Sequence, residues 1–205
     1  MSLRSEEVDT EGYAADTTPY EDWGSGFAAI HARAQSLISP LGADELTRAP
    51  RHDAWSVEQI LEHLTISNSA YAASMTRAID GSAHSSRSVS SSSKPWKPTL
   101  VGRLLRRSMD PSSTRKLPAP GRSRPGRSVA PGSLDRFVAS NEQLARLLER
   151  AQVAHAANER FASPLAALIR LNVGDGFTIC VAHSQRHLQQ IERTISAVRS
   201  ASPTL

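Results

Sequence analysis

Apolar residues recur at three- and four-residue steps in four separate stretches of this chain, and residues 81–132, rich in serine, proline and basic side chains, part the second stretch from the third. Such recurrence marks one buried face per helix, and no alternating strand pattern competes with it. Four helices with one long connection between the second and the third describe an all-α four-helix bundle with a crossover.

The first stretch runs from about Glu21 to Ser39, with Phe27, Ile30, Ala34, Leu37 and Leu41 at helical steps and Pro40 to end it. Ser56 reads as the N-cap of the second, with Gln59 as its capping-box partner; that helix continues through Asp80, Gly81 closes it, and its apolar face is Ile60, Leu64, Ser67, Tyr71 and Met75. The third spans Asp135 to Ala157 and carries Phe137, Leu144, Leu147, Leu148 and Val153. Asn172 caps the fourth, from Val173 to about Ser200, with Asp175 at its third position. Residues 21–200 therefore form one domain, preceded by an acidic, flexible extension over residues 1–20. Within the long connection, Ser85 to Ser93 reads as flexible low complexity and Leu100 to Met109 as a short amphipathic helix.

The chain has 205 residues, 39% of them hydrophobic and only 5% aromatic, a composition that suits an Ala- and Leu-rich helical protein better than a β-sandwich. No run is long and apolar enough for a membrane span, and the acidic N-terminus lacks the features of a signal peptide. A single cysteine, Cys180, fits a reducing compartment, so a cytoplasmic location is expected. Residues 94–127 hold ten Lys/Arg against the single acid Asp110, which leaves the rest of the chain net negative despite a formal charge of +4.

His183 and His187 are four residues apart in the fourth helical stretch, a spacing that puts both imidazoles on one helix face. His63 lies in the second stretch, and packing the two helices together brings three imidazoles within reach of one metal ion, with a coordination position left open. Neutral imidazoles suit zinc, nickel, iron or manganese, and three of them leave the ion its full charge for activating water or a thiol. Spacing alone also fits two solvated helix-face histidines and a packed core histidine at position 63.

The pattern Trp55-Ser56-x-x-x-Ile60-x-x-His63-Leu64, followed far downstream by His183-x-x-Arg186-His187-x-x-Gln190-x-x-Arg193, resembles the DinB-like (DinB/YfiT) superfamily of metal-binding four-helix bundles. The segment Phe161 to Leu165, leading to Leu171-Asn172-Val173-Gly174-Asp175, resembles the part that introduces the last helix in those proteins. The resemblance runs from about Tyr20 to Arg199. It implies a divalent metal on His63, His183 and His187, and homodimers that pair through helix faces. It also implies metal-dependent hydrolysis of a small molecule, or S-transfer with a low-molecular-weight thiol such as bacillithiol or mycothiol as cosubstrate. Many members have no assigned reaction, and a non-catalytic metal-binding or stress-response protein is the alternative.

The site would not be a metalloprotease centre, because Ser184 stands where His-Glu-x-x-His places its general base. Glu62 points about 100° away from His63 and reads as a solvated or salt-bridging residue. Gln190 could equally orient a ligand or water or make a core-edge hydrogen bond, while Arg186 and Arg193 could bind an anionic substrate, with structural pairing the preferred reading. Cys180 shares the face of the pair, with simple packing as its plainer role, and His31 could line the same cavity or sit at the core boundary. His52, His84 and His155 carry no constellation. The basic loop offers a rival reading as a binder of anionic surfaces or nucleic acid, through Arg103, Arg106, Arg107, Arg115, Lys116, Arg122, Arg124 and Arg127 with Trp96 as a stacking contact. It contains no nucleic-acid reader motif, and a solvated lid or dimer-facing arm is the preferred reading.

Overall fold

The computed structural model describes residues 19–83, 95–109 and 121–201. The acidic extension before Pro19, His84, the polyserine run, Arg115 and Lys116 lie outside the described residues. The elements are α1 (Pro19–Ile38), α2 (Ala43–Thr47), α3 (Val57–Ala83), α4 (Leu100–Ser108), α5 (Ser133–Val153), β1 (Arg160–Ala162), β2 (Arg170–Asn172) and α6 (Val173–Ser200), with single 3-10 turns at Gly121–Ser123 and Ala156–Asn158. The four bundle helices are α1, α3, α5 and α6.

Cross-helix bonds establish their directions. Trp23 Nε1 donates to Thr178 Oγ1 and Arg33 pairs with Glu192, so α1 and α6 run the same way. Arg136 pairs with Glu62 and Arg150 with Asp80, so α3 and α5 are parallel as well. His63 meets His183 while Met75 meets Gly176, which sets α3 antiparallel to α6. The order is up, down, down, up, and the connection from α3 to α5 must return the length of α3, 27 residues or about 40 Å.

The core is the convergence of the four stripes. Phe27, Ile30, Ala34, Ile60, Leu64, Tyr71, Met75, Phe137, Leu144, Leu147 and Leu148 are all buried, as expected from their spacing. Burial of each large side chain contributes on the order of 1.5–3 kcal/mol. Val153, counted with that stripe from the sequence, is instead 85% exposed, because at nine residues beyond Leu144 it falls on the opposite face of α5. The third helix thus stops short of Ala157, the second runs past Gly81 to Ala83, and the first begins at Pro19.

Both expected capping boxes form. Gln59 N donates to Ser56 Oγ and Ser56 N to Gln59 Oε1, while Asp175 N donates to Asn172 Oδ1 and Asn172 N to Asp175 Oδ2. The chain is not purely helical: β1 and β2 pair antiparallel with Phe161 opposite Leu171, and both side chains point into the core. Phe161 stands edge-on to Tyr71 with ring centres 6.2 Å apart. This small hairpin closes the end of the bundle where α6 begins.

Segment 95–109 straps across the same end. Trp96 Nε1 donates to Asn172 Oδ1, Thr99 donates through N and Oγ1 to the Asp175 carboxylate, and Trp96 meets Trp23 edge to face at 5.0 Å. Trp96 is therefore engaged in packing and not displayed for stacking with a nucleic acid. Approach this close requires glycine: a Cβ on Gly174 would lie 2.1 Å from the Trp96 indole nitrogen. No described helix is long and apolar enough to cross a membrane.

Candidate metal centre

His63 lies in the second turn of α3, immediately behind the Ser56–Gln59 box, and faces inward because it shares the stripe of Ile60 and Leu64. His183 and His187 project from adjacent turns of α6 toward it. One ring nitrogen from each of the three lies within 4.8 Å of the others, a group able to hold a metal ion. His63 is buried and the other two are half-buried, so the group sits at the mouth of the core.

The second nitrogen of two rings is committed. His63 Nδ1–H donates to the carbonyl of Ser123 at 2.6 Å, and His187 Nδ1–H donates to Gln190 Oε1 at 2.8 Å. Since both partners are oxygen acceptors, each Nδ1 carries the proton and each Nε2 turns a lone pair to the centre. His63 Nε2 stands 3.1 Å from His183 Nε2. Two ring nitrogens that close must share a proton or a cation, and nitrogens bound to one tetrahedral ion stand about 3.3 Å apart. The donor set therefore fits a divalent metal.

Electrostatics keeps the rings neutral. Burial depresses the pKa of His63, partly offset by the Ser123 carbonyl. Burial pushes His183 well below the usual histidine value, helped by His187, His63 and Arg186. His187 falls to about 3, again chiefly through burial and then through His63, with Gln190 opposing and Arg186 and Arg193 adding to the depression. Neutral imidazole is the form that ligates metal.

The remaining candidates divide. Gln190 accepts a hydrogen bond from His187 Nδ1, and the charge of Arg186 acts on both α6 histidines. Cys180 stays out of the group: it is buried beside Tyr71, and burial pushes its thiol pKa far up, which leaves a protonated packing residue. His31 is half-buried on α1 and does not join the three rings. Glu62 is salt-bridged to Arg136 at 3.2 Å, the structural role expected.

Two contributors were not legible beforehand. Ser123 reaches the site through its backbone carbonyl, for which no side-chain pattern exists. Gln59, recognised as a cap, also donates from Nε2 to the carbonyls of Gly126 and Arg127, holding the end of the crossover connection over the start of α3. Trp55 packs against the His63 ring at 5.1 Å between centres and walls that side.

The fold has a solved counterpart in YfiT from Bacillus subtilis, described as a probable metal-dependent hydrolase with an unusual four-helix bundle topology; the two share 14% identity, with a TM-score of 0.50 over 96% of this chain and 95% of that one. No curated protein matches the sequence. The family model of the DinB superfamily matches residues 27–191, a span that holds α3 and α5 whole, most of α1 and α6, and the three histidines. With that span matched and the bundle in place, the chain belongs to the DinB superfamily.

Proposed function

We propose that this protein is a metal-dependent hydrolase acting on a small molecule, with its divalent ion held by His63, His183 and His187. The observation that carries the reading is the convergence of three neutral imidazoles, two of them fixed in tautomer by Ser123 and Gln190. A divalent ion on three uncharged ligands retains its charge and supplies Lewis-acid activation of a nucleophile or a substrate oxygen. The description of YfiT as a probable metal-dependent hydrolase agrees with this assignment.

The chain's own residues narrow the chemistry. Arg193 places positive charge close to His187, which favours a substrate bearing an anionic group. Trp55 and the segment held by Gln59 shield one side of the group from water, leaving approach from the half-buried α6 side. Peptide hydrolysis is disfavoured, since Ser184 is buried where a metalloprotease places its glutamate and Glu62 is tied to Arg136. S-transfer would need a thiol from solution, because Cys180 is buried and protonated.

The test is bound metal, measured by mass spectrometry on untagged, chelator-free protein for wild type, His63→Ala and His183→Ala. About one divalent ion per chain, lost in both variants, is expected; no ion in wild type after reconstitution with zinc, nickel, iron or manganese would sink the proposal. Hydrolysis abolished in His187→Ala with the fold intact supports the enzyme. Metal-dependent stability without turnover of any ester, amide or thiol substrate would favour a non-catalytic metal-binding protein.

A further inference from the structure

All five large hydrophobic side chains that are exposed among the described residues lie toward one end of the bundle, the end where α6 begins. They are Leu100 (76% exposed), Val101, Leu104 (68%), Val153 and Leu168 (99%). Three belong to the nine-residue helix α4, Val153 ends α5, and Leu168 is at the tip of the β1–β2 hairpin. The helix packs against β2 and α6, which seats it at this end of the bundle.

The outer face of α4 has a definite chemistry. Gly102, Leu105 and Met109 turn toward the bundle, so Leu100 and Leu104, four residues apart, point outward. Arg103 and Arg107 run alongside them, and Arg106 is also exposed. No acidic residue occurs between Pro95 and Met109, and Arg160 and Arg170 add exposed positive charge at the adjoining strands. The helix is already formed and pinned, with Thr99 as its N-cap and Asp175 beneath it, so docking would not require it to order.

We propose that the outer face of α4 docks on an anionic phospholipid surface, with Leu100 and Leu104 entering the interfacial layer and Arg103 and Arg106 meeting lipid phosphates and carboxylates. The combination decides among occupants. Exposed leucines have no use on a nucleic-acid backbone, and a symmetric second copy would press the α4 arginines of one chain against those of the other. An apolar edge flanked by arginines is what an interfacial helix presents to a charged bilayer, and together the two signals give reversible adsorption.

The test is cosedimentation of the full-length protein with vesicles of phosphatidylcholine alone and of phosphatidylcholine with about 30% phosphatidylserine. Binding is expected only to the anionic vesicles, loosening as salt is raised and persisting in chelator, which separates it from the metal-site assignment. Leu100→Ser with Leu104→Ser should weaken it at least about ten-fold. Arg103→Gln and Arg106→Gln should each weaken it about five-fold. These side chains are exposed, and helix content checked by circular dichroism shows whether each variant is folded. No binding to either vesicle, equal binding to both, or unchanged binding by the double leucine variant overturns the proposal. Dimerisation abolished by the leucine pair, with no vesicle binding, assigns the face to a second copy and overturns it equally.

Discussion

Replacing Gly102 with alanine sets two effects against each other, and the structure says which wins. A glycine inside a helix is less favourable than alanine by about 1 kcal/mol, so the substitution should stabilise α4 if nothing stands in the way. A methyl group at this position, however, would lie 2.1 Å from Oδ1 and 2.3 Å from Cγ of Asp175, where van der Waals contact needs about 3.5 Å. The carboxylate cannot simply retreat, because it accepts from Thr99 N, Thr99 Oγ1 at 2.7 Å and Asn172 N. Overpacking costs about 1–3 kcal/mol and hydrogen bonds to a charged acceptor about 1.5–3 kcal/mol each. After the propensity gain, a net loss of about 2–3 kcal/mol is expected, or about 5–10 °C in Tm for a chain of this size. The loss is bounded by what docking of the strap contributes, since α4 can lift away and relieve the clash. Gly81→Ala is the control: it is also helical and has no atom within 4 Å of the added methyl, so its stability should hold or rise. Thermal and urea unfolding followed by circular dichroism gives the comparison. The indole N–H resonance of Trp96, bonded to Asn172 in the docked strap, reports local release. Gly102→Ala as stable as Gly81→Ala would refute the close approach of α4 to the cap of α6.

Three further outcomes follow from the site and the core. Gln190→Leu removes the acceptor for His187 Nδ1–H and should lower metal affinity about 10–100-fold in competition with a chromophoric chelator, whereas Gln190→Glu keeps an acceptor; a change under about two-fold for the leucine variant would deny the orienting role. In metal-free protein, the unfolded chain takes up protons at histidine below about pH 6.5 while the native His187, with its pKa at about 3, does not, so stability is full above that value and falls toward acid by about 1.4 kcal/mol per pH unit for this residue, with His183 acting in the same direction. Urea midpoints that stay flat between about pH 7.5 and about pH 5.5 in chelator would contradict this. Ser184 Oγ is buried without a hydrogen-bond partner among the described residues, so Ser184→Ala should leave stability unchanged or raise it by about 1 kcal/mol; a clear loss in calorimetry would mean that an internal water satisfies the hydroxyl.

What the sequence made legible was local or periodic. The Ser56–Gln59 and Asn172–Asp175 boxes could be read because each joins a side chain to backbone three residues away, and the four stripes because burial repeats with the helix. Val153, counted with the third stripe, falls nine residues beyond Leu144 on the opposite face of the helix, and it is exposed. The hairpin escaped because three-residue strands are too short to register an alternation, and its geometry comes from Phe161 and Leu171 filling the end of the core. Bundle packing allows His63 to meet His183, 120 positions away, but leaves a packed core histidine open as well, and the resemblance of two motifs chooses between them.

The crossover connection is where sequence and structure diverge most, and the topology explains why. With α3 and α5 parallel, any chain joining them must traverse the bundle from the end where α6 begins to the end where α3 begins. Its described parts lie at the cap of α6 and beside the histidine group. The basic, Pro- and Ser-rich composition suggests a solvated arm, yet Trp96, Thr99 and Gly102 lock the outgoing part onto Asn172, Gly174 and Asp175, while the carbonyls of Ser123, Gly126 and Arg127 meet His63 and Gln59 on return. Backbone carbonyls place little demand on side-chain identity, so the returning part can look like low-order sequence while supplying the acceptor that fixes the His63 tautomer. A parallel second and third helix thus brings part of the site's outer shell from the connection itself, and the tautomer of His63 depends on how that connection is seated.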